Sequence, residues 1–448
     1  MQPAEVKLEP AMDKNVKLSE DMRAVISNIG WLSSDRLIRM GGAVLVSTVV
    51  ARYLGPSQFG LLNLAIAIYM LFNILSNLGL DYLLVRDIVM HPDADQELLG
   101  TSFYLKVFAS ILTTVSAICF AWISNPGNSM VVIIVALLSI SAIAQGFDVI
   151  EYYFQAKTLS RYSVVPKAIV FVAASIARIY AVLLHYPLLT FAWIGAIEML
   201  LSEAALLISY WVYRNTFPKW KFQYAHGSRL LKESWPLVLA SLLVMIYMRT
   251  DQIMLGMLTN NRVVGYYSAA VRLSEIWYII PTLICSSVMP RLLTYFNTHK
   301  AFYYRRIQLL YNYLVLISVT LALSMSIFSR PVVVLALGHD YLPAAEILTV
   351  HIWTGVFVFI GVLGGQQLIH ENLVKIELQR AFLGAIANIG LNVVLIPRYG
   401  GIGSACATLV AQATASYFSD ALNPRTRHLF RMKTYALSGL WLLRGEYR

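Results

Sequence analysis

Charge is what this chain has least of. Only 13% of its 448 residues are Asp, Glu, Lys or Arg, about half the ~25% usual in soluble domains. That scarcity excludes an ordinary water-soluble globule. Cysteine is nearly absent as well. Cys119, Cys285 and Cys406 stand singly inside apolar runs with no CxxC, which gives no metal ribbon and no disulfide framework. Enzyme signatures are missing: there is no Walker A loop and no GxSxG elbow. His351 has no second ligand one helical turn away, so a metal site is not expected there. Gly400–Gly403, in RYGGIG, reads as a helix start rather than a phosphate cradle. The ten-residue alternating segments of a β-barrel are absent. The polar stretch Met1–Ser27 has no apolar core of a secretory signal and reads as a cytoplasmic tail.

What is present is apolar length. Hydrophobic residues make up 58% of the chain and mean hydropathy is +0.64. Runs of roughly 20 apolar residues are long enough to cross a bilayer. Twelve are predicted, near 31–53, 61–84, 101–123, 130–150, 163–184, 188–213, 235–258, 265–289, 307–329, 343–365, 373–396 and 402–419. The expected fold is therefore all-α and polytopic, with two six-helix lobes. Residues 1–27 form an N-terminal tail, 28–214 the first lobe, 215–234 a basic linker, 235–420 the second lobe and 421–448 a basic C-terminal tail. The apolar patch Tyr435–Leu443 is too short to span and suits a membrane surface.

The net charge of +11 follows from loops rather than from a nucleic-acid partner. With both termini cytoplasmic, the inner segments hold 23 Lys and Arg against four outside, as the positive-inside rule requires. An internal repeat adds to this. The segment ARYLGPSQFGLLNLA, from Ala51, resembles GMLTNNRVVGYYSAA, from Gly256, and matches Gly60 to Gly265 across 205 residues. A spacing of six spans makes the repeats parallel, about an axis along the membrane normal.

The stretch Tyr247–Arg291 departs most from lipid-like chemistry. It carries Arg249, Asp251, Arg272 and Glu275 inside apolar runs. A charge at the bilayer centre costs a few kcal/mol, so such residues face a wet cavity or a partner. Ser268, Arg272 and Glu275 share one helix face, and Arg272 and Glu275 are close enough in sequence to neutralise each other. Asp35 and Arg39, at i and i+4, are a similar pair. Arg178 and Asp81 also lie within spans, and Arg39, Asp81, Arg178, Arg249, Asp251, Arg272 and Glu275 form the set of cavity candidates. Lys106, Lys167 and Arg380 sit near span ends and are expected to snorkel to the interface. Asn73, Asn77, Asn388, Asn392, Ser404, Thr408 and Gln412 are read first as hydrogen bonds between packed helices.

Several motifs carry a family resemblance: LGPSQFGLLNLA, LGLDYLLVRD, TDQIMLG, VGYYSAAVRLSEIWYIIP and IPRYGGIGSACATLVA. They resemble the Wzx-type polysaccharide repeat-unit flippases of the MOP exporter superfamily, from Asn28 to about Lys433. The resemblance implies a transporter, not an enzyme, that moves an undecaprenyl-diphosphate-linked oligosaccharide to the outer leaflet of the bacterial inner membrane. It implies alternating access around a cationic cavity, no cofactor, and coupling to an H+ or Na+ gradient. Inner-membrane lipids and polysaccharide polymerase machinery are the further partners it suggests. A multidrug or small-cation exporter of the related MATE branch is the alternative, but its cavity should favour acidic groups. A membrane-embedded polymerase or ligase should carry a large outer loop, and no outer loop here exceeds about fifteen residues.

Overall fold

The computed structural model describes residues 14–215, 220–296, 299–371 and 373–441. Among these, ten helices are long and apolar enough to cross a membrane. Two of the ten are double. The first helix, α1 (Lys14–Ser76), breaks at Gly55, whose φ of 69° only glycine adopts without strain, and Pro56 restarts it. The helix α15 (Val374–Ala413) breaks in the same way at Gly400, with φ of 53°. Each break is a tight turn between two crossings, so the chain makes the twelve expected passes. The fold is that of a multi-pass helical membrane protein.

The first six passes follow in order. After α1 come a short α2 (Asp81–Met90), α3 (Asp95–Ser124), α4 (Ser129–Ser141), α5 (Val149–Ala156), α6 (Arg161–Leu183) and α7 (Leu188–Arg214). The second half begins with α8 (Tyr224–Leu258), α9 (Asn261–Glu275) and α10 (Ile279–Leu293). The helix α9 starts where the Asn260 side chain accepts from the Arg262 and Val263 amides at 3.0 and 3.1 Å, an Asn cap of the usual kind. Then follow α11 (Lys300–Ile327), α12 (Ser329–Leu337), α13 (Pro343–His351), α14 (Thr354–His370), α15, the one-turn α16 (Ser419–Leu422) and α17 (Arg427–Ser438).

The repeat glycines meet. A Cβ added at Gly60 would lie 1.8 Å from the Asn261 carbonyl oxygen, and one at Gly265 would lie 1.9 Å from that of Pro56. Pro56 and Asn261 are separated by the same 205 residues as the glycines. The contact is thus its own mirror across the two halves, as an isologous interface is. Both positions need glycine because backbone touches backbone. Nearby, the Tyr341 hydroxyl donates to the Ala51 carbonyl at 2.8 Å, and Tyr341 packs edge-on against Phe59. At the opposite end the halves are held by ions: Arg229 to Asp87 and Arg86 to Glu233, both at 2.6 Å.

Three expectations change here. Lys106 does not snorkel; it is 2% exposed inside the first half. Lys167 turns inward to Asp148 and Glu151 at 2.9 and 2.6 Å. Arg380 is 4% exposed and bonds the buried Asp420, which also holds Lys433 at 2.8 Å. In each case carboxylates on neighbouring helices outcompete the membrane surface, because a buried charge with a partner loses less than one without. Lys433 belongs to α17, which docks on the second half. Residues 224–234, which the sequence placed in a linker, form the first turns of α8 and pack on α2 through Leu230. The Asp35 side chain and residues 442–443 lie outside the described residues.

Candidate functional site

A cavity of about 230 Å³ lies where the two halves face each other. Its polar lining is Asn63 from α1, Arg249 and Gln252 from α8, and Ser268, Arg272 and Glu275 from α9. At 1.5 Å per residue, Arg272 lies about 18 Å along the chain from Asn260 in the turn. That depth is the middle of a bilayer about 30 Å thick.

The charges are arranged unevenly. Arg249 Nη2 reaches Glu275 Oε2 at 3.4 Å, across two helices. Glu275 thus has its ion-pair contact with Arg249 rather than with Arg272, its neighbour along α9. Arg272 instead points at the first half. Its Nη2 donates to Asn63 Oδ1 at 3.4 Å, and its guanidinium sits 5.9 Å from the Phe59 ring centroid. Among the described residues it meets no carboxylate within salt-bridge distance. The cavity thus carries one ion pair and one positive charge in excess.

The remaining candidates separate from this centre. Arg178 pairs with Glu198 at 2.5 Å between α6 and α7, an ion pair inside the first half. Arg39 lies over the Phe171 ring at 5.7 Å, between α1 and α6. Asp81 opens α2 and accepts from Asn77 at 3.3 Å. None of the three lines the central cavity. Asp251 is 2% exposed and turns into the second half. It accepts from the Tyr267 hydroxyl, from the Gln252 amide at 2.7 Å and from the Thr408 hydroxyl at 3.3 Å. Thr408 continues to Asn388, and Asn388 to Asn392 at 3.0 Å. Two hydroxyls and a backbone amide therefore donate to one carboxylate, on the wall of a second cavity of about 370 Å³. Val271 and Glu275 line both cavities, so the two adjoin.

Asn63 and Gln252 were missed in the sequence, where a single amide in an apolar run carries no distinguishing signal. Only the matched repeat glycines hinted that this part of α1 faces α9.

The architecture defines a two-lobed MOP-type transporter fold. The lipid II flippase MurJ, in an inward closed conformation, superimposes with a TM-score of 0.70 at 14% identity over 93% of each chain. An inward-facing MATE-family multidrug resistance transporter of the MOP superfamily follows at 0.64 and 13% identity, over 90% of this chain and 99% of that one. Identities so low establish the fold. Residues 25–296 match the family described as polysaccharide biosynthesis protein, and the chain belongs to that family. Over 195 residues it is 30% identical to the probable flippase AglR of Haloferax volcanii, a match covering 40% of this chain and 39% of that relative.

Proposed function

We propose that the protein is a flippase that carries an undecaprenyl-diphosphate-linked oligosaccharide across the bacterial inner membrane, from the cytoplasmic to the outer leaflet. One observation carries the reading: Arg272 supplies an excess positive charge, with no carboxylate within salt-bridge distance among the described residues, in the cavity between the halves. A diphosphate leaving the headgroup region needs such a charge, and the planar guanidinium fits phosphate oxygens two at a time. Asn63, Gln252 and Ser268 offer hydrogen bonds to sugar hydroxyls beside it. A drug exporter for cations would be served poorly by a net positive centre.

Transport follows by alternating access. The Gly60–Gly265 contact closes the end that the loop charges place outside, and the Asp87–Arg229 and Arg86–Glu233 pairs close the cytoplasmic end. Each must open in turn. Asp251, held by two hydroxyls and a backbone amide and joined to the substrate cavity through the wall at Glu275, is a group on which a coupling H+ or Na+ acts. Both termini are cytoplasmic in this scheme, which leaves the growing glycan for polymerase machinery on the far side.

The test is transport of a defined lipid-linked oligosaccharide in vesicles. Wild-type protein should move it, and Arg272→Ala should not, with both present in the membrane in equal amount. Transport at wild-type rate by Arg272→Ala would remove the observation on which the reading stands.

A further inference from the structure

The first half encloses a second charged cluster that the central cavity does not use. Lys167, from α6, contacts Asp148 at 2.9 Å and Glu151 at 2.6 Å. Lys106, from α3, lies 3.8 Å from Asp148 and over the Tyr152 ring at 5.2 Å. Glu203, from α7, faces Asp148 and both lysines. It is 5% exposed, and its Oε2 has no hydrogen-bond partner among the described residues. Tyr69 from α1 closes the cluster, accepting from Gln145 at 3.0 Å. Asp81 lies beyond Tyr152, near enough for its charge to act on that ring's hydroxyl.

The charges do not balance. Two ammonium groups stand against three carboxylates, Asp148, Glu151 and Glu203, with Asp81 a fourth at the edge. Lys167 is shared between Glu151 and Asp148, and Lys106 has Asp148 as its nearest carboxylate. Glu203 is the carboxyl left over, in the driest position. An uncompensated carboxylate in such a place costs several kcal/mol, and two carboxylates sharing one site do not both ionise cheaply. A proton on Glu203 removes the excess charge and converts its hydroxyl into a donor toward Asp148. A metal cation would instead confront two ammonium groups.

We propose that Glu203 and Asp148 form a proton-binding carboxyl pair inside the first half of the bundle. Losing that proton leaves two facing carboxylates among α3, α5, α6 and α7, which biases how these helices pack. The pair is thus a proton site separate from Asp251, in the other half. Its use in driving transport rests on the flippase reading; its existence does not.

Infrared spectroscopy of the full chain in nanodiscs tests the site without any substrate. At neutral pH the wild type should show a protonated-carboxyl band that Glu203→Gln lacks. Asp148→Asn should lose it too, because Glu203 can then ionise against the two lysines. Glu203→Gln mimics the protonated form and should melt no lower than wild type. If neither variant folds, the wild-type spectrum decides by itself: alkaline titration should convert one protonated carboxyl to carboxylate. A band that survives in Glu203→Gln, a wild type without the band, or melting that responds to Na+ but not to pH overturns the site. In transport vesicles, an imposed pH gradient should raise accumulation by up to about tenfold per pH unit for one coupled proton, and Glu203→Gln should lose that response. Carriage that is gradient-driven in Glu203→Gln would reject the coupling role while leaving the flippase reading intact.

Discussion

Replacing Gly60 by alanine should open one end of the bundle. The added Cβ would stand 1.8 Å from the Asn261 carbonyl oxygen and 2.6 Å from the Gly265 nitrogen. Ordinary contact begins near 3.4 Å, so the two helices must part by about 1.6 Å. The atoms met are backbone, so no side chain can rotate away. Overpacking of this kind costs ~1–3 kcal/mol. Here the cost falls only on the conformation in which Gly60 and Gly265 touch, so the closed population should drop by roughly 5- to 150-fold. Gly265→Ala should do the same by the mirrored contact with Pro56. Spin labels at Gln58→Cys and Arg262→Cys, both exposed positions at this end, would report the separation after Cys119, Cys285 and Cys406 are replaced. The distance distribution should move to longer values in Gly60→Ala. An unchanged distribution, in folded protein, would refute the claim that this contact is a closure which opens.

Other expectations follow from the ion pairs. Arg178→Ala should strand Glu198 in the first half and lower the melting temperature, at the low end of the ~3–5 kcal/mol for breaking a buried pair, whereas Arg178→Met with Glu198→Met should recover most of it. Asp420→Ala should leave Arg380 and Lys433 facing each other and loosen α17, visible as faster hydrogen exchange over residues 427–438. Arg86→Ala should change stability by about 1 kcal/mol at most, because its pair with Glu233 is more than a third exposed on both sides and the buried Asp87 that it also touches keeps Arg229. Asp251→Asn should keep substrate binding and lose the response of transport to a Na+ gradient, and retained Na+ coupling would move that ion elsewhere.

The passes were legible because lipid imposes length and apolarity on every one of them. The breaks at Gly55 and Gly400 were legible too, the first as the gap between the first two spans and the second as a glycine-rich helix start. What stayed hidden was which helix lies beside which. Arg272 and Glu275 are neighbours along α9, yet Glu275 takes Arg249 from α8 and Arg272 takes Asn63 from α1. Lys106 and Lys167 near span ends looked like snorkelling residues. Their real partners, Asp148, Glu151 and Glu203, lie 16 to 97 residues away on other helices, where spacing along one helix says nothing. The repeat was the exception, since the glycine match at 205 residues pointed to a contact that the structure contains.

The central claim is that Arg272 meets the diphosphate of a lipid-linked glycan, and a three-variant transport comparison tests it most directly. Reconstituted vesicles would receive a fluorescent undecaprenyl-diphosphate oligosaccharide, with appearance in the opposite leaflet as the readout. Arg272→Ala should abolish transfer, and Arg272→Lys should retain part of it, since an ammonium keeps the charge and loses the bidentate fork. Arg249→Ala with Glu275→Ala removes the neighbouring ion pair but leaves the excess charge, and should still transfer. Wild-type transfer by Arg272→Ala, or loss in the pair variant alone, would contradict the account.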